Sequence, residues 1–464
     1  MLRGMTASES AEAPRLPKVG EYRILQGLLG ELVLRPWFDW VALRTVAHGY
    51  FPLSRAWAAA LASGTNVRRF LKELPGEGLQ PDLLGWALQQ VEQRRAGYDS
   101  AAGRWETAFF GPRQSRPETL IAAELARHRA AHELMATRYA FLPLVARLPS
   151  VKWQVARPRE VEARHAPRLS APEAAFAQPE IPAIEPSRPV TGAQGPECWL
   201  RFRAPVMGDT AWARVSAPDG VTDPPTLIFL HGIAMENDMW RGAADPLTSG
   251  AIGGLRVIRP EGPWHGRRRL PGWYGGEPAI GRGPLGMLDL FHAWVAEIAC
   301  LIAWARETSD GPVAVGGVSL GALTAQLAAV AARQWQAELR PDALFLVATS
   351  GRTLDIAESG SLSQAVELQP RIAAAGWTRA ALERWRPLVE PVGPPVMGAE
   401  RVVMLIGESD DLTQHEGGLA LARAWGLPEA NLFTRRQGHF SVSLGLLRDR
   451  APLRRLAEIL DGTA

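Results

Sequence analysis

The stretch Val313 to Ala322, Val-Ala-Val-Gly-Gly-Val-Ser-Leu-Gly-Ala, limits what this chain can fold into more than any other. An apolar, β-branched run enters Gly317-Val318-Ser319-Leu320-Gly321 and an Ala/Leu-rich segment leaves it, which reads as buried strand, tight turn, helix. A serine on so sharp a turn has strained backbone angles, and side chains at 317 and 321 would strike the adjoining strand and helix. Glycine at both positions removes them. The helix that follows aims its first N–H groups at the space beside the Ser319 hydroxyl, where a developing negative oxygen would be held. A Gly- and Ala-rich chain makes such a pentapeptide by chance, so its meaning depends on what the other strands present.

Strand and helix alternate on both sides of this turn, from Cys198 to the end of the chain. Trp199 to Pro205 and Thr210 to Ala217 read as an antiparallel pair turning at Gly208-Asp209, and Thr226 to Leu230 as a buried strand ending in His231-Gly232. Leu255 to Arg259 is the next strand, followed by a Gly/Pro/Trp/Arg loop and a helix from about Leu288 to Arg306. Beyond the serine come strands at Ala343 to Ala348, Val402 to Ile406 and Asn431 to Arg435, a helix at Glu416 to Trp425 and a closing helix over Val442 to Leu460. Short helical pieces between 351 and 400 interrupt the alternation where a small cap would sit. The fold class is α/β: a mostly parallel sheet with helices on both faces and reactive groups at the carboxyl ends of its strands.

The first part of the chain differs. Residues 1–20 read as a disordered leader and 21–156 as an all-helical region, with Leu25, Leu28, Leu29 and Leu32 at helix period and helices over 66–74, 81–94 and 117–142. The longest of these should bury Ile121, Leu125, His128, His132, Met135 and Tyr139, and Pro143 should end or kink it. Prolines crowd 157–197, which predicts an extended linker ahead of the α/β domain at 198–464. His128 and His132, with Glu124 one turn earlier, have the spacing to share a metal, but no Glu follows the first histidine and no second ligand cluster exists. They are read as partly buried histidines, and neither a metal nor any other cofactor is expected.

A serine hydroxyl is a poor nucleophile at neutral pH, so it needs a base, the base an orienting acid, and the oxyanion its donors. His439, in Gln437-Gly438-His439-Phe440, follows the last strand and is the candidate base. Asp410, in Gly407-Glu408-Ser409-Asp410, is the candidate acid, with Asp411 the alternative because a one-residue change in the turn would exchange them. The oxyanion donors would be the N–H groups of Leu320, after the serine, and Ile233, after His231-Gly232, with His231 bracing that turn.

Leu-His-Gly at the oxyanion turn, Gly-Val-Ser-Leu-Gly at the elbow, Gly-Glu-Ser-Asp after a later strand and Gly-His before the closing helix together resemble the α/β-hydrolase superfamily, in its chain order Ser, Asp, His. Within it the chain is similar to a branch of α/β-hydrolase-domain-containing proteins with a helical N-terminal part, through Trp264-His265-Gly266-Arg267-Arg268, Glu297 and the nucleophile turn. The resemblance implies a serine hydrolase acting on a carboxylic ester or thioester through an acyl-enzyme. A non-catalytic binding or scaffold protein and an acyltransferase are the alternatives. The loop from Pro260 to Glu277 should border the site, making Trp264 and Arg267 candidate substrate contacts, although pairing of the arginines with Glu261 or Glu277 is the preferred reading and core packing explains the tryptophans without a ligand. The substrate would be a small acyl ester or lipid-like molecule.

Composition removes other classes. The net charge is only +3 over 464 residues, Lys18, Lys72 and Lys152 are the only lysines, and no basic run interleaves with aromatics, so nucleic acid is not an expected partner. Cys198 and Cys300 are too few for a disulfide framework, no apolar signal segment opens the chain, and Leu290 to Ala305 is broken by His292 and Glu297 before it could span a bilayer. A cytoplasmic setting is the expectation.

Overall fold

The computed structural model describes residues 15–16, 30, 33–74, 81–171, 174–192, 194–235, 247 and 254–463. The leader over 1–20 lies outside these, apart from Arg15 and Leu16, and so does the Leu25, Leu28, Leu29 and Leu32 period. Leu16 is buried and its N–H donates to the Thr191 carbonyl, 2.9 Å away.

Apolar runs bounded by turns become the strands of one sheet. Its strands are β1 (Glu185–Pro186), β2 (Val190–Thr191), β3 (Pro196–Arg203), β4 (Thr210–Ser216), β5 (Thr226–Leu230), β6 (Arg256–Pro260), β7 (Val313–Val318), β8 (Ala343–Val347), β9 (Val402–Gly407) and β10 (Leu432–Arg435). Their order is β1-β3-β4-β6-β5-β7-β8-β9-β10, with β2 also on β3. Pairing is antiparallel from β1 to β6 through β3 and β4, and parallel from β6 to β10. Strands β5 to β9 are buried at every position, as strands covered on both faces must be, whereas β4 alternates. Two apolar layers cover the faces, one built on the helices Pro284–Glu307 and Leu320–Ala331 and the other on Ala451–Leu460. Among the described residues Pro284–Glu307 is the one helix long and apolar enough to cross a membrane, and 89% of its apolar window is buried inside the fold. Four short helices between Thr353 and Glu383 form an insertion between β8 and β9.

Four sequence expectations shift. The closing helix is two, His439–Leu444 and Ala451–Leu460, since Pro452 starts a new helix more readily than it continues one. The helix expected from 81 to 94 runs from Pro81 to Phe110. The next α-helix, Pro117–Ala136, gives way at Thr137 to a 3-10 segment that carries Pro143 and ends at Arg147. Its buried face is Leu120, Glu124, Arg127, Ala131 and Leu134, one residue from the expected stripe, because Glu124 and Arg127 are buried as an ion pair at 3.0 Å while Tyr139 stands 62% exposed. A helix also occupies Pro158–Leu169, where prolines predicted extended chain: Pro158 opens it, at a position whose N–H has no partner in any helix. This helix packs on Pro284–Glu307 through His165 and Asp289, 3.0 Å apart.

The N-terminal helices lie against the sheet and its loops. Arg55, buried on the helix Phe51–Ser63, pairs with buried Glu277 at 3.1 Å, and Glu277 also accepts the N–H groups of Lys152 and Tyr274.

Candidate active site

Strand β7 delivers Ser319 at φ 55° and ψ −120°, a conformation that costs an L-residue of the order of 1–3 kcal/mol. The serine N–H is tied to the Val347 carbonyl at 3.0 Å, which fixes the turn. The two flanking glycines are required by distance. A Cβ on residue 317 would come within 2.5 Å of the Gly321 backbone, and one on residue 321 within 2.4 Å of the Leu230 carbonyl oxygen. The helix Leu320–Ala331 therefore starts in direct contact with the end of β5.

Three side chains from the ends of three strands meet here. His439 Nε2 lies 2.9 Å from Ser319 Oγ, and His439 Nδ1 lies 2.9 Å from Asp410 Oδ2. Asp410 Oδ1 accepts the N–H groups of Leu412 and Thr413 at 3.0 and 2.9 Å, and Oδ2 accepts the Thr413 hydroxyl at 2.8 Å. Burial raises the cost of the Asp410 charge, but His439 and these donors outweigh it and hold the carboxyl below its ordinary range. Burial likewise works against the His439 imidazolium; the Asp410 carboxylate, assisted by Asp39 and Asp411, prevails and pushes the imidazole up. Asp411 faces elsewhere: it is exposed, and its carboxylate accepts the Ser361 hydroxyl of the insertion at 2.8 Å.

The turn after β5 closes the other side. A Cβ on Gly232 would be 3.5 Å from Ser319 Cβ, so the Gly232 backbone lies beside the serine. Leu320 is the first residue of its helix, where an N–H has no carbonyl within the helix to bond. Two buried histidines brace this turn. His231 Nδ1–H donates to the Gly232 carbonyl at 2.8 Å and its Nε2 accepts the Gly262 N–H at 3.0 Å. His265 Nδ1–H donates to the Pro263 carbonyl at 2.9 Å and its Nε2 accepts the Ala234 N–H at 3.2 Å. Burial pushes His231 down to about 4 and His265 well below the usual histidine range, which keeps both in the neutral form that these bonds need. Tyr50, from the N-terminal helices, donates its hydroxyl to the Ala234 carbonyl at 3.3 Å.

Arg267 and Trp264 are not brought to the serine. The Arg267 guanidinium sits over Trp105, Trp199 and Trp212, 4.5, 4.3 and 4.5 Å from their ring centres, with its Nε 3.7 Å from the Glu261 carboxylate, which also accepts the Arg267 backbone N–H at 3.0 Å. It is consumed by an aromatic cage beside β3 and β4, a contact that no local pattern could reveal because Trp105 belongs to the N-terminal region. Trp264 is a buried member of the main core. Trp273, Tyr274, Trp377 and Trp385 are buried too, with Tyr274 against Phe51 and the Trp377 N–H on the Ala156 carbonyl, so core packing accounts for the aromatic residues of loop and insertion. Arg268 is buried in a two-pronged pair with Glu297, both bonds 2.7 Å, and reaches Asp209 as well. Glu124, considered with His128 and His132 as a metal ligand, is instead bonded to Arg127 and Trp105. No group of three or more metal-ligating side chains occurs among the described residues.

Sequence reasoning missed Thr413 and Asp39. The first carried a faint signal, an Asp followed three residues later by Thr in a turn. The second carried none, being about 400 positions from the backbone N–H groups it accepts at Gly438, Phe440 and Ser441.

A mixed sheet that turns parallel, a strained serine elbow after β7 and an Asp and a His after the later strands β9 and β10 define the α/β-hydrolase fold, preceded here by a helical region. No protein-family model and no curated protein matches the chain. Solved structures similar to it include acetyl xylan esterase 1 from Thermoanaerobacterium, at 16% identity over 63% of this chain and 96% of the other, with a TM-score of 0.40. An S-formylglutathione hydrolase from Agrobacterium tumefaciens is similar at 15% identity over 60% and 99%, with a TM-score of 0.39. A Pyrobaculum calidifontis esterase is similar at 15% over 66% and 94%, also at 0.39.

Proposed function

We propose that this chain is a serine hydrolase that cleaves a carboxylic ester or thioester through an acyl-enzyme. The observation that carries the reading is the unbroken relay from Ser319 Oγ to His439 to Asp410, two links of 2.9 Å each, with the serine held at positive φ. In this reading His439 Nε2 takes the hydroxyl proton as Ser319 attacks the acyl carbon, and returns it to the leaving alcohol or thiol as the tetrahedral intermediate collapses. Water then enters by the same route, giving its proton to His439 while its oxygen attacks the acyl-serine, and the acid and free serine are released. Asp410 keeps the Nδ1–H tautomer and stabilises the imidazolium, and the N–H groups of Leu320 and Ile233 receive the oxyanion. The test is labelling of the full chain by a fluorophosphonate: the wild type should be modified at Ser319 and the Ser319→Ala variant should not. A variant that labels at the wild-type rate removes Ser319 from the role, and a folded wild type inert to both the probe and p-nitrophenyl esters removes the enzyme.

A further inference from the structure

We propose that Asp39, in the N-terminal helix Pro36–Thr45, is a positioning residue for His439, clamping the backbone on both sides of it so that the imidazole faces Ser319. This rests on the serine hydrolase reading above and extends it to a part of the chain outside the α/β domain. The Asp39 carboxylate is buried and both of its oxygens are engaged. Oδ1 accepts the N–H groups of Phe440 and Ser441 at 2.6 and 2.9 Å. Oδ2 accepts the Gly438 N–H at 3.1 Å and the Ser441 hydroxyl. The four donors belong to Gly438, immediately before the histidine, and to Phe440 and Ser441, the two residues after it. They also open the helix His439–Leu444, whose first N–H groups need an acceptor that Gly438, at the position before it, has no side chain to supply.

Gly438 is itself part of the device. A Cβ there would lie 2.5 Å from Asp39 Cγ, so any other residue would push the carboxylate away. The same segment is gripped from its far side by Gly407, where a Cβ would come within 2.4 Å of the Gln437 carbonyl oxygen, and Gln437 donates to the Leu34 carbonyl at 3.2 Å. The histidine loop is thus held between the end of β9, which also leads to Asp410, and a helix from the other end of the chain. A buried carboxylate is costly unless its oxygens are satisfied, and satisfied by four donors it makes a stiff clamp. The groups that bear on the His439 imidazole are Asp410, Asp39 and Asp411, with the hydroxyls of Thr413 and Ser319 in contact.

The test measures the rate of fluorophosphonate labelling of Ser319 against pH in the full chain, corrected for the folded fraction by circular dichroism. Asp39→Ala should slow labelling by about a hundredfold, the size of effect that misplacing a catalytic group by about 1 Å produces. Asp39→Asn keeps an oxygen for Phe440 and Ser441 and should lose about tenfold. Because either change removes a negative charge that favours the imidazolium, the acid limb of the profile should move to lower pH in both. Ser441→Ala, which removes the hydroxyl's bonds to Asp39 and to the Gly438 N–H but no charge, should slow labelling about threefold and leave the limb in place. A folded Asp39→Asn protein that labels at the wild-type rate with an unmoved acid limb overturns the proposal, as does a rate unchanged in Ser441→Ala if neither Asp39 variant folds. Ser319→Ala separates the levels: if it still labels, the underlying reading fails, whereas a dead Ser319→Ala beside an unaffected Asp39→Asn sinks only the clamp.

Discussion

The two sides of the site each hold buried histidine, and they treat it in opposite ways. His439 faces carboxylates and is pushed up, while His231 and His265 face backbone, each other and arginine, and are pushed down by burial. Depth alone does not separate them, for all are less than about a tenth exposed. What differs is whether an acid accompanies the ring into the interior. With one, the imidazole can accept and keep a proton during a reaction. Without one, it is a fixed donor and acceptor that shapes a turn.

That contrast can be broken in order of expected effect. His439→Ala should cost on the order of 10⁴-fold or more in acyl-enzyme formation, measured as probe labelling or p-nitrophenyl ester turnover; a loss below about tenfold would make His439 a brace like the others. Asp410→Asn should cost less than His439→Ala but still about a hundredfold or more, since the amide leaves the imidazole without its partner and free to adopt the wrong tautomer. His231→Gln probes the other side through stability. The unfolded histidine gains a proton below about pH 6.5 and the folded one only near 4, so the wild type loses stability from His231 as pH falls through that window, by of the order of 2–3 kcal/mol. Urea unfolding at pH 7 and at pH 4.5 should show a shallower acid loss in the variant, and an unchanged slope would mean that His231 is charged in the folded protein. His439 acts in the reverse sense: raised in the fold, its contribution is present in full below pH 6.5 and is lost as pH climbs through the folded value. Asp411→Asn should be the mildest, within about twofold of wild type in turnover, because its carboxylate serves Ser361. A lesion there worse than Asp410→Asn would reverse the acid assignment.

Much of the α/β half was legible because its constraints are local. Glycine on either side of Ser319, a buried run before it and an Ala/Leu helix after it leave few other geometries, and the acid and base could be sought at later strand exits. Choosing between Asp410 and Asp411 needed coordinates, since neighbouring side chains in a turn point different ways and only Thr413 and the insertion reveal which goes where. The N-terminal half was read less well where charge was buried in pairs. Hydrophobic periodicity assigns Glu124 and Arg127 to solvent, and their burial rotates the face of the helix Pro117–Ala136 by one residue. Arg267 was legible in part: its expected pairing with Glu261 is present at 3.7 Å, but a guanidinium can be satisfied by indole faces as well as by acids, and three tryptophans from separate elements are invisible until they converge.

The aromatic cage also bears on where the molecule could be divided. Trp105 stands on the helix Pro81–Phe110, Trp199 and Trp212 on the adjacent strands β3 and β4, and Arg267 further along the chain still. Severing the polypeptide near Gly195 would strip one wall from around a cation, leave Glu277 buried without Arg55 and withdraw the acceptor that Gly438 and its neighbours share. Two pieces expressed separately would each inherit half of every one of these arrangements, so activity, if recovered at all, should return only when they are mixed.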